Sequence, residues 1–224
     1  RAMPEKYGVD YYTDYRKMLD RKDIHAVCIC TPSGMHMEHP VAAAERGKHI
    51  MCEKPVEITL PKIDTLITAC RQNNVKLGVI FQRRTYAMNQ NVKKIIDSGK
   101  LGKLVMGDMY QKFYRSPEYY QSGAWRGKWE LDGGGCLMNQ GVHGIDLIQW
   151  LMGPVDSITA YCATLARKIE VEDTAVAIVK WKSGALGVLE GATSIHPAYD
   201  STACLHGTRG SIILEETRVK SWNI

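Results

Sequence analysis

The stretch HIMCEKP, residues 49–55, decides the fold of the first half of the chain. Its first four residues form a short apolar run, and Glu53, Lys54 and Pro55 follow at once. A short apolar run that ends in polar residues is typical of a buried strand. In an open parallel sheet, ligands bind at the carboxyl ends of the strands. The sequence therefore predicts a strand that places an acid and an amine at a ligand-binding edge.

Two more segments repeat this arrangement. Residues 26–30 form an apolar run that leads into residues 31–33, and residues 75–81 form one that leads into residues 82–84. Because the carboxyl ends of parallel strands share one edge of a sheet, we expect all three strand ends to place polar groups at one crevice.

The segments between these strands have helical patterns. Residues 35–47 are rich in alanine and stop at Gly47, whereas residues 59–74 start with Thr59 as a cap and have Pro61 in the first turn. Crossovers of this length are too long for hairpins, so the strands are predicted to be parallel. The first half of the chain is therefore predicted to have a doubly wound α/β fold.

The pattern changes after Arg84. Helices are predicted at residues 86–98 and from the glycines at 133–135 to about Met152, and the aromatic, charged residues 117–132 are predicted to form a functional loop. Strands are predicted at residues 105–114, 157–165, 174–181, 185–193, 201–206 and 211–215. The last five are too close together for helical crossovers, so this sheet should be largely antiparallel. We expect a parallel α/β domain at residues 1–84 and an α+β domain with one large sheet at residues 85–224.

The bulk composition excludes several classes of protein. Of 224 residues, 45% are apolar, and the net charge of +5 comes from scattered lysines and arginines without a basic block. These values argue against a disordered chain and against a nucleic-acid partner. No apolar run approaches the roughly 20 residues of a membrane span. Seven cysteines without zinc-ligand spacing indicate a cytoplasmic protein that binds no metal.

Several motifs occur together in a specific order. They are Thr31-Pro32 with His36, residues 47–50, Glu53-Lys54-Pro55, Leu101-Gly102 after Gly99, residues 133–135, and Asn139 with His143 and Asp146. In this order they resemble the Gfo/Idh/MocA family of NAD(P)-dependent oxidoreductases. Residues 119–143 look most like members that act on sugars, including nucleotide-linked aminosugar uronates. The resemblance implies a Rossmann-type dinucleotide-binding domain at residues 1–84 and a substrate-binding domain at residues 85–224.

The sequence departs from the family at both ends. It contains no glycine-rich turn of the GxGxxG type, which holds the cofactor pyrophosphate in relatives, and it stops where relatives continue. We therefore expect the chain to be part of a longer enzyme and, by itself, to bind NAD(H) poorly.

The resemblance implies hydride transfer between a sugar hydroxyl and NAD or NADP. The catalytic candidates are Lys54 and His143, because an amine or imidazole in a cleft can accept the hydroxyl proton. The implied cofactor contacts are Thr31, Pro32, His36, Glu53, Lys54 and Arg84. The implied substrate contacts are Lys54, Trp125, Arg126, Asn139 and His143.

Structural interpretations compete with several of these roles. Lys54 is also compatible with a solvated loop lysine, His143 with a hydrogen-bonded helix histidine, and Arg84 with an ion pair across the domain junction. Asn139 and His143 are four residues apart and are expected on one face of a helix. Many relatives have Asp at the position of Asn139, and since Asn is not a base near neutral pH, Asn139 is predicted to bind a sugar hydroxyl.

Two alternative functions remain beside the dehydrogenase. One is a non-catalytic, ligand-sensing or regulatory member of the same fold, and the other is an NAD-dependent glycosidase or lyase that uses transient oxidation.

The sequence also predicts how the protein assembles. Residues 174–179 and 185–189 carry apolar side chains on both faces of their strands. An uncovered apolar face of this kind predicts pairing with a second subunit. Together with the resemblance, this predicts a homodimer or homotetramer.

Overall fold

The computed structural model describes residues 2–224, and the chain divides into two compact units. The first unit ends at Ile80 and the second begins at Phe81. This boundary between the two units lies earlier in the chain than the one expected after residue 84. None of the described helices is long and apolar enough to cross a membrane.

The first unit contains a three-stranded parallel sheet in the order β1-β2-β3. Its strands are β1 (Ala26–Ile29), β2 (His49–Cys52) and β3 (Leu77–Val79). Its helices are α1 (Ala2–Tyr7), α2 (Tyr15–Leu19), a 3₁₀ turn (Ser33–Met35), α3 (Glu38–Glu45) and α4 (Leu60–Gln72). The parallel pairing of β1 with β2 and of β2 with β3 confirms the prediction. Helix α2 was missed, because a five-residue helix has too little periodicity to detect.

Helices α3 and α4 pack against each other over one face of this sheet. That face buries Val27, Ile29 and Ile50 together with Leu66 of α4. The opposite face is exposed and carries Cys28, which the sequence had placed at an apolar position. Helix α4 has Thr59 at its N-cap position and Pro61 in its first turn, as expected, although the side chain of Thr59 makes no capping hydrogen bond.

The second unit is built on a seven-stranded sheet in the order β10-β9-β8-β4-β7-β6-β5. The strands are β4 (Leu104–Lys112), β5 (Val155–Ala163), β6 (Thr174–Trp181), β7 (Leu186–Ala192), β8 (Thr202–Gly207), β9 (Gly210–Glu215) and β10 (Arg218–Asn223). Its helices are α5 (Ala87–Asp97), α6 (Pro117–Gln121) and α7 (Val142–Met152), with a π-helical turn at Cys136–Gly141. All pairs are antiparallel except β4 with β7, so the predicted mainly antiparallel sheet and the α/β plus α+β fold are confirmed. Strand β10 and helix α6 were not predicted.

The core of the second unit lies between one face of the sheet and two helices. Val92 of α5 and Ile148 of α7 pack with Met109, Val179 and Leu205 of the strands. In β6, buried and exposed residues alternate along the strand. Two of the residues that alternate outward, Val176 and Ile178, are themselves apolar, so the second face of the sheet exposes apolar side chains.

A buried carboxylate fixes the loop between β5 and β6. Asp173, which is 0% exposed, accepts hydrogen bonds from the backbone N–H groups of Leu165 (2.9 Å), Ala166 (2.8 Å) and Arg167 (2.7 Å). Burial alone would raise the pKa of Asp173, but these N–H donors and the hydroxyl of Thr174 outweigh it, and the pKa is lowered. The ionised carboxylate therefore stabilises this loop.

We predict that Asp173→Asn lowers the free energy of unfolding at pH 7 by about 1–3 kcal/mol, the cost of losing a charged partner for buried donors. Because the folded pKa is lowered, this stabilisation is complete above the ordinary Asp pKa of about 3.9 and is lost as the pH falls through the lower folded value. Urea unfolding at pH 7 and near pH 3 should show a difference between wild type and variant that shrinks in acid.

The control is Asp156→Asn, because Asp156 is an exposed carboxylate paired with the exposed Lys180. Exposed pairs contribute at most about 1 kcal/mol, so this variant should unfold almost as wild type does. A loss of stability in Asp173→Asn that is equally large at both pH values would contradict the role of the ionised carboxylate.

Candidate functional site

The carboxyl ends of β1 and β2 place the first group of candidate residues side by side. Thr31 and Pro32 follow β1, and Glu53, Lys54 and Pro55 follow β2, its parallel neighbour. The carboxylate of Glu53 accepts a hydrogen bond from the backbone N–H of Lys54 at 3.2 Å, and the Lys54–Pro55 peptide bond is cis. The two strand ends thus form the edge that the sequence predicted within the first unit.

His36 ties these two strand ends together. Its side chain is buried, at 1% exposure, with Nε2 2.8 Å from the carbonyl oxygen of Thr31 and Nδ1 2.7 Å from that of Pro55. A neutral imidazole carries one N–H and donates to one of these carbonyls at a time, whereas a charged ring donates to both. Both ring nitrogens are therefore engaged by the protein, and His36 positions the loops that carry Thr31 and Lys54. Its direct contact with a cofactor stays a prediction.

The hydroxyl of Thr31 fits an oxygen-rich ligand. Its Oγ1 atom is buried and has no hydrogen-bond partner within residues 2–224. A buried polar atom left without a partner costs about 1–3 kcal/mol. The ribose or phosphate oxygens of a dinucleotide would satisfy it, so this part of the chain fits the predicted NAD or NADP.

Arg84 forms an ion pair inside the second unit. Its Nε donates to Oδ2 of Asp146 at 2.8 Å, and Nη2 contacts Oδ1 at 2.5 Å. The hydrogen bonds that Arg84 donates to Asp146 raise the pKa of Arg84 above its ordinary value. The structural interpretation of Arg84 thus holds, although both partners belong to the same unit and no junction is crossed. Binding of cofactor by Arg84 stays a prediction.

The candidate substrate residues begin on the π-helical turn at Cys136–Gly141. Asn139 lies in this turn and His143 lies at the start of α7, so the prediction that both share one regular helix was wrong. The carboxylate of Glu172 holds the start of this turn, since it accepts hydrogen bonds from the backbone N–H groups of Gly135 (2.8 Å) and Leu137 (3.1 Å). A Cβ atom at Gly135 would lie 1.7 Å from the carbonyl oxygen of Glu172, which explains the glycine. Turns of this type are frequent at functional sites.

A buried aspartate sets the orientation of Asn139. Asp132, at 2% exposure, accepts a hydrogen bond from Nδ2 of Asn139 at 2.8 Å through one oxygen and from the backbone N–H of Gly127 at 2.8 Å through the other. Gln140 lies 3.4 Å from the amide oxygen of Asn139. Asp132 was not among the predicted site residues, because its partners are fixed by the fold rather than by sequence spacing.

Tyr119 connects Asn139 to the arginine and tryptophan of the loop. Its hydroxyl accepts hydrogen bonds from Nη1 of Arg126 at 2.6 Å and from Nε2 of Gln140 at 3.2 Å. The guanidinium of Arg126 also lies over the rings of Tyr119 and Trp125, at 4.3 and 4.4 Å. The structure therefore brings Trp125, Arg126 and Asn139 together, while Tyr119 and Gln140 supply the connecting polar groups.

Two family models match the chain. One is described as the GFO/IDH/MocA C-terminal domain and matches residues 89–213, and the other is described as an oxidoreductase family with an NAD-binding Rossmann fold and matches residues 1–81. Together they account for both compact units.

Individual relatives are similar over almost the whole chain. The WlbA dehydrogenase from Bordetella pertussis, solved in complex with NADH and UDP-GlcNAcA, is 35% identical with a TM-score of 0.96, and the match covers 100% of this chain and 65% of that one. Levoglucosan dehydrogenase from Pseudarthrobacter phenanthrenivorans is 28% identical over 95% of this chain and 61% of its own length. Myo-inositol 2-dehydrogenase from Thermotoga maritima is 27% identical over 97% of this chain and 65% of its own length. The chain thus spans less than two thirds of the length of each of these relatives.

We predict that His36→Phe loosens both strand-end loops, because a phenyl ring fills the space but donates no hydrogen bond to the carbonyl oxygens of Thr31 and Pro55. Amide hydrogen exchange followed by mass spectrometry should show faster exchange in peptides that cover residues 31–36 and 53–58. The control is His39→Phe, since His39 is partly buried, contacts the nearby carbonyl of Met35 and the ring of Tyr15, and makes no hydrogen bond to the carbonyl oxygen of Thr31 or Pro55 in the part of the chain that the structure describes. If both variants exchanged as the wild type does, the linking role of His36 would be wrong.

Proposed function

The chain belongs to the Gfo/Idh/MocA family of oxidoreductases, and from this membership we propose that it acts in an NAD(P)-dependent dehydrogenase. The reaction is hydride transfer between a hydroxyl-bearing carbon of a sugar or sugar derivative and the nicotinamide. The observation that carries this proposal is the connected polar cluster of Asn139, Gln140, Tyr119 and Arg126, which offers several donors and acceptors to a polyol. The solved relative with NADH and a nucleotide sugar supports the same pairing of cofactor and substrate class.

The bound nicotinamide would supply the hydride chemistry, and the protein would supply placement and proton transfer. Removing a hydride from an alcohol carbon requires a base for the hydroxyl proton. We assign this role to Lys54 at the end of β2 and to His143 on α7. Asn139 is not a base near neutral pH, and its amide, oriented by Asp132, is assigned to a sugar hydroxyl.

For the cofactor, we assign the strand-end residues of the first unit. Thr31 offers its buried hydroxyl, and Pro32, Glu53 and Lys54 border the same edge. His36 contributes by holding this edge in place. Arg84 is assigned a contact with the cofactor, which its guanidinium makes while it stays paired with Asp146. NADH is the nucleotide bound in the solved WlbA relative, so NAD is the cofactor we favour.

The second unit presents a surface suited to a second copy of the chain. Tyr161, Val176, Ile178 and Leu186 on neighbouring strands β5, β6 and β7 are exposed, and Tyr161 reaches 86% exposure. Contiguous exposed apolar surface of this kind marks interaction sites. A two-fold interface uses the same surface patch on both subunits, so we propose that this face pairs with the same face of another subunit in a homodimer or homotetramer. The cytoplasm, inferred from the cysteines, is the compartment we propose.

We predict that Lys54→Ala and His143→Ala each lower kcat by at least about 100-fold, the scale of general acid–base assistance. Asn139→Ala should mainly raise KM. The assay follows the absorbance of NADH with sugar substrates in the intact enzyme that contains this chain. The control is Lys76→Ala, since Lys76 is an exposed lysine at the opposite, amino end of β3.

The same assay separates the alternatives. Net NADH formation indicates a dehydrogenase, whereas product formed at constant NADH indicates a glycosidase or lyase that oxidises its substrate transiently. Near-normal turnover of Lys54→Ala would overturn its catalytic assignment, and sugar binding without any turnover would favour the ligand-sensing alternative.

We predict that Val176→Lys converts the assembly to monomers, because Val176, 47% exposed, lies in the middle of the apolar face and would bury a charge at the interface. Sedimentation velocity at tens of micromolar measures this directly. The control is Leu60→Lys, which adds the same charge at an exposed leucine of the first unit. A wild-type protein that sediments as a monomer would disprove the proposed pairing.

A further inference from the structure

Arg115 lies beyond the carboxyl end of β4 and is held there by the protein. Its backbone N–H donates to the carbonyl oxygen of Thr193 at 2.7 Å, and its Nη1 atom donates to the carbonyl oxygen of Tyr114 at 3.0 Å. Its Nη2 atom donates to Oε1 of Gln140 at 2.8 Å. Arg115 therefore has a fixed position from which it contacts the side chain of Gln140.

This contact fixes the orientation of the Gln140 amide. A side-chain amide fills the same space in two orientations, and its neighbours decide which end carries the oxygen. An arginine side chain has only donors, so the end of the Gln140 amide that faces Arg115 must be the oxygen. The Nε2 atom then lies 3.2 Å from the hydroxyl of Tyr119 and 3.4 Å from Oδ1 of Asn139. Each of its two N–H groups therefore has an acceptor.

The same series of hydrogen bonds continues through Asn139 to a carboxylate. Oδ1 of Asn139 accepts from Gln140, and Nδ2 of Asn139 donates to Asp132 at 2.8 Å. An ionised carboxylate can only accept, so Asp132 and Gln140 require the same orientation of the Asn139 amide. The hydrogen bonds thus run in one direction, from the guanidinium of Arg115 through two amides to Asp132. Hydrogen bonds linked in this way strengthen one another.

The hydroxyl of Tyr119 receives a single role from its two donors. Its oxygen accepts from Nε2 of Gln140 and from Nη1 of Arg126, the latter at 2.6 Å. Neither nitrogen can accept a hydrogen bond, so the hydroxyl hydrogen of Tyr119 must point away from both. Tyr119, Asn139 and Gln140 border a cleft of about 10 Å³, which has room for about one oxygen atom. Toward that atom, Tyr119 can act only as a donor.

We propose that Arg115 is a positioning residue of the sugar site. Through Gln140 it fixes the orientation of the Asn139 amide and makes Tyr119 a donor toward the ligand. The cleft then takes one ligand oxygen that accepts from Tyr119, as the hydroxyl or ring oxygen of a sugar does. The effect on the substrate rests on the proposed function, whereas the direction of the hydrogen bonds does not depend on it.

Gln140→Glu separates positioning from structural support. The glutamate keeps an acceptor for Arg115 and gains an ion pair with it, but it has no N–H group for Tyr119 or Asn139. In the intact enzyme that contains this chain, KM for the sugar should rise about tenfold or more, the scale of one lost hydrogen bond. The melting temperature should not fall, and kcat should stay within about threefold. A purely structural role of Arg115 predicts an unchanged KM.

Further variants complete the comparison. Gln140→Met lacks both the N–H groups and the charge, so an equal rise in KM would show that the added charge is not the cause. Arg115→Met should raise KM as well, and Arg115→Lys, which keeps a donor, should restore part of the loss. The control is Gln149→Glu, because Gln149 is an exposed glutamine of α7, and its KM should match that of the wild type.

The probes are myo-inositol, levoglucosan and UDP-GlcNAcA, with NADH formation followed by absorbance. An unchanged KM in both Gln140→Glu and Gln140→Met would overturn the proposal. If the wild-type enzyme forms NADH from none of the three, the proposed dehydrogenase function fails for these compounds. Neutron diffraction of the deuterated chain without ligand then decides on Arg115. The deuteron of the Tyr119 hydroxyl should point away from Gln140, and a deuteron directed at Nε2 of Gln140 would overturn the proposal.

Discussion

Two consecutive carboxylates, Glu172 and Asp173, organise the candidate site of the second unit. Glu172 accepts the backbone N–H groups of Gly135 and Leu137 and so fixes the π-helical turn that carries Asn139. Asp173 accepts three backbone N–H groups of residues 165–167 and so fixes the loop that carries Arg167. Hydrogen bonds from backbone N–H groups to carboxylates are stronger than hydrogen bonds between neutral groups. The dipeptide just before β6 therefore holds both the turn assigned to the sugar and the loop between β5 and β6.

The first unit uses the same principle with a different side chain. His36 is buried between two carbonyl oxygens and links the strand ends that carry Thr31 and Lys54. In both units, then, residues that hold backbone segments in place surround the residues assigned to binding and catalysis. Binding groups that are fixed before the ligand arrives lose less entropy when it binds.

The sequence alone was sufficient to predict the helices and strands that depend on local periodicity. The parallel strands β1 and β2, the helix α4 and the hairpin strands of the second unit follow from apolar patterns within single segments, and they were predicted. Asn139 and His143 were also predicted as neighbours, but the π-helical turn that carries Asn139 was not. A carboxylate 33 residues beyond Asn139 holds the start of that turn. Asp132 and Glu172 were missed for the same reason. Contacts between distant segments leave no periodic pattern in the sequence.

The central claim is that the polar cluster around Asn139 binds a sugar hydroxyl, with the Asn139 amide oriented by Asp132. A crystal structure of the chain with UDP-GlcNAcA, the ligand of the solved WlbA relative, tests it most directly. The account predicts a sugar hydroxyl within hydrogen-bond distance of the Asn139 amide. A ligand seated elsewhere, with the Asn139 amide bonded only to protein and water, would contradict it.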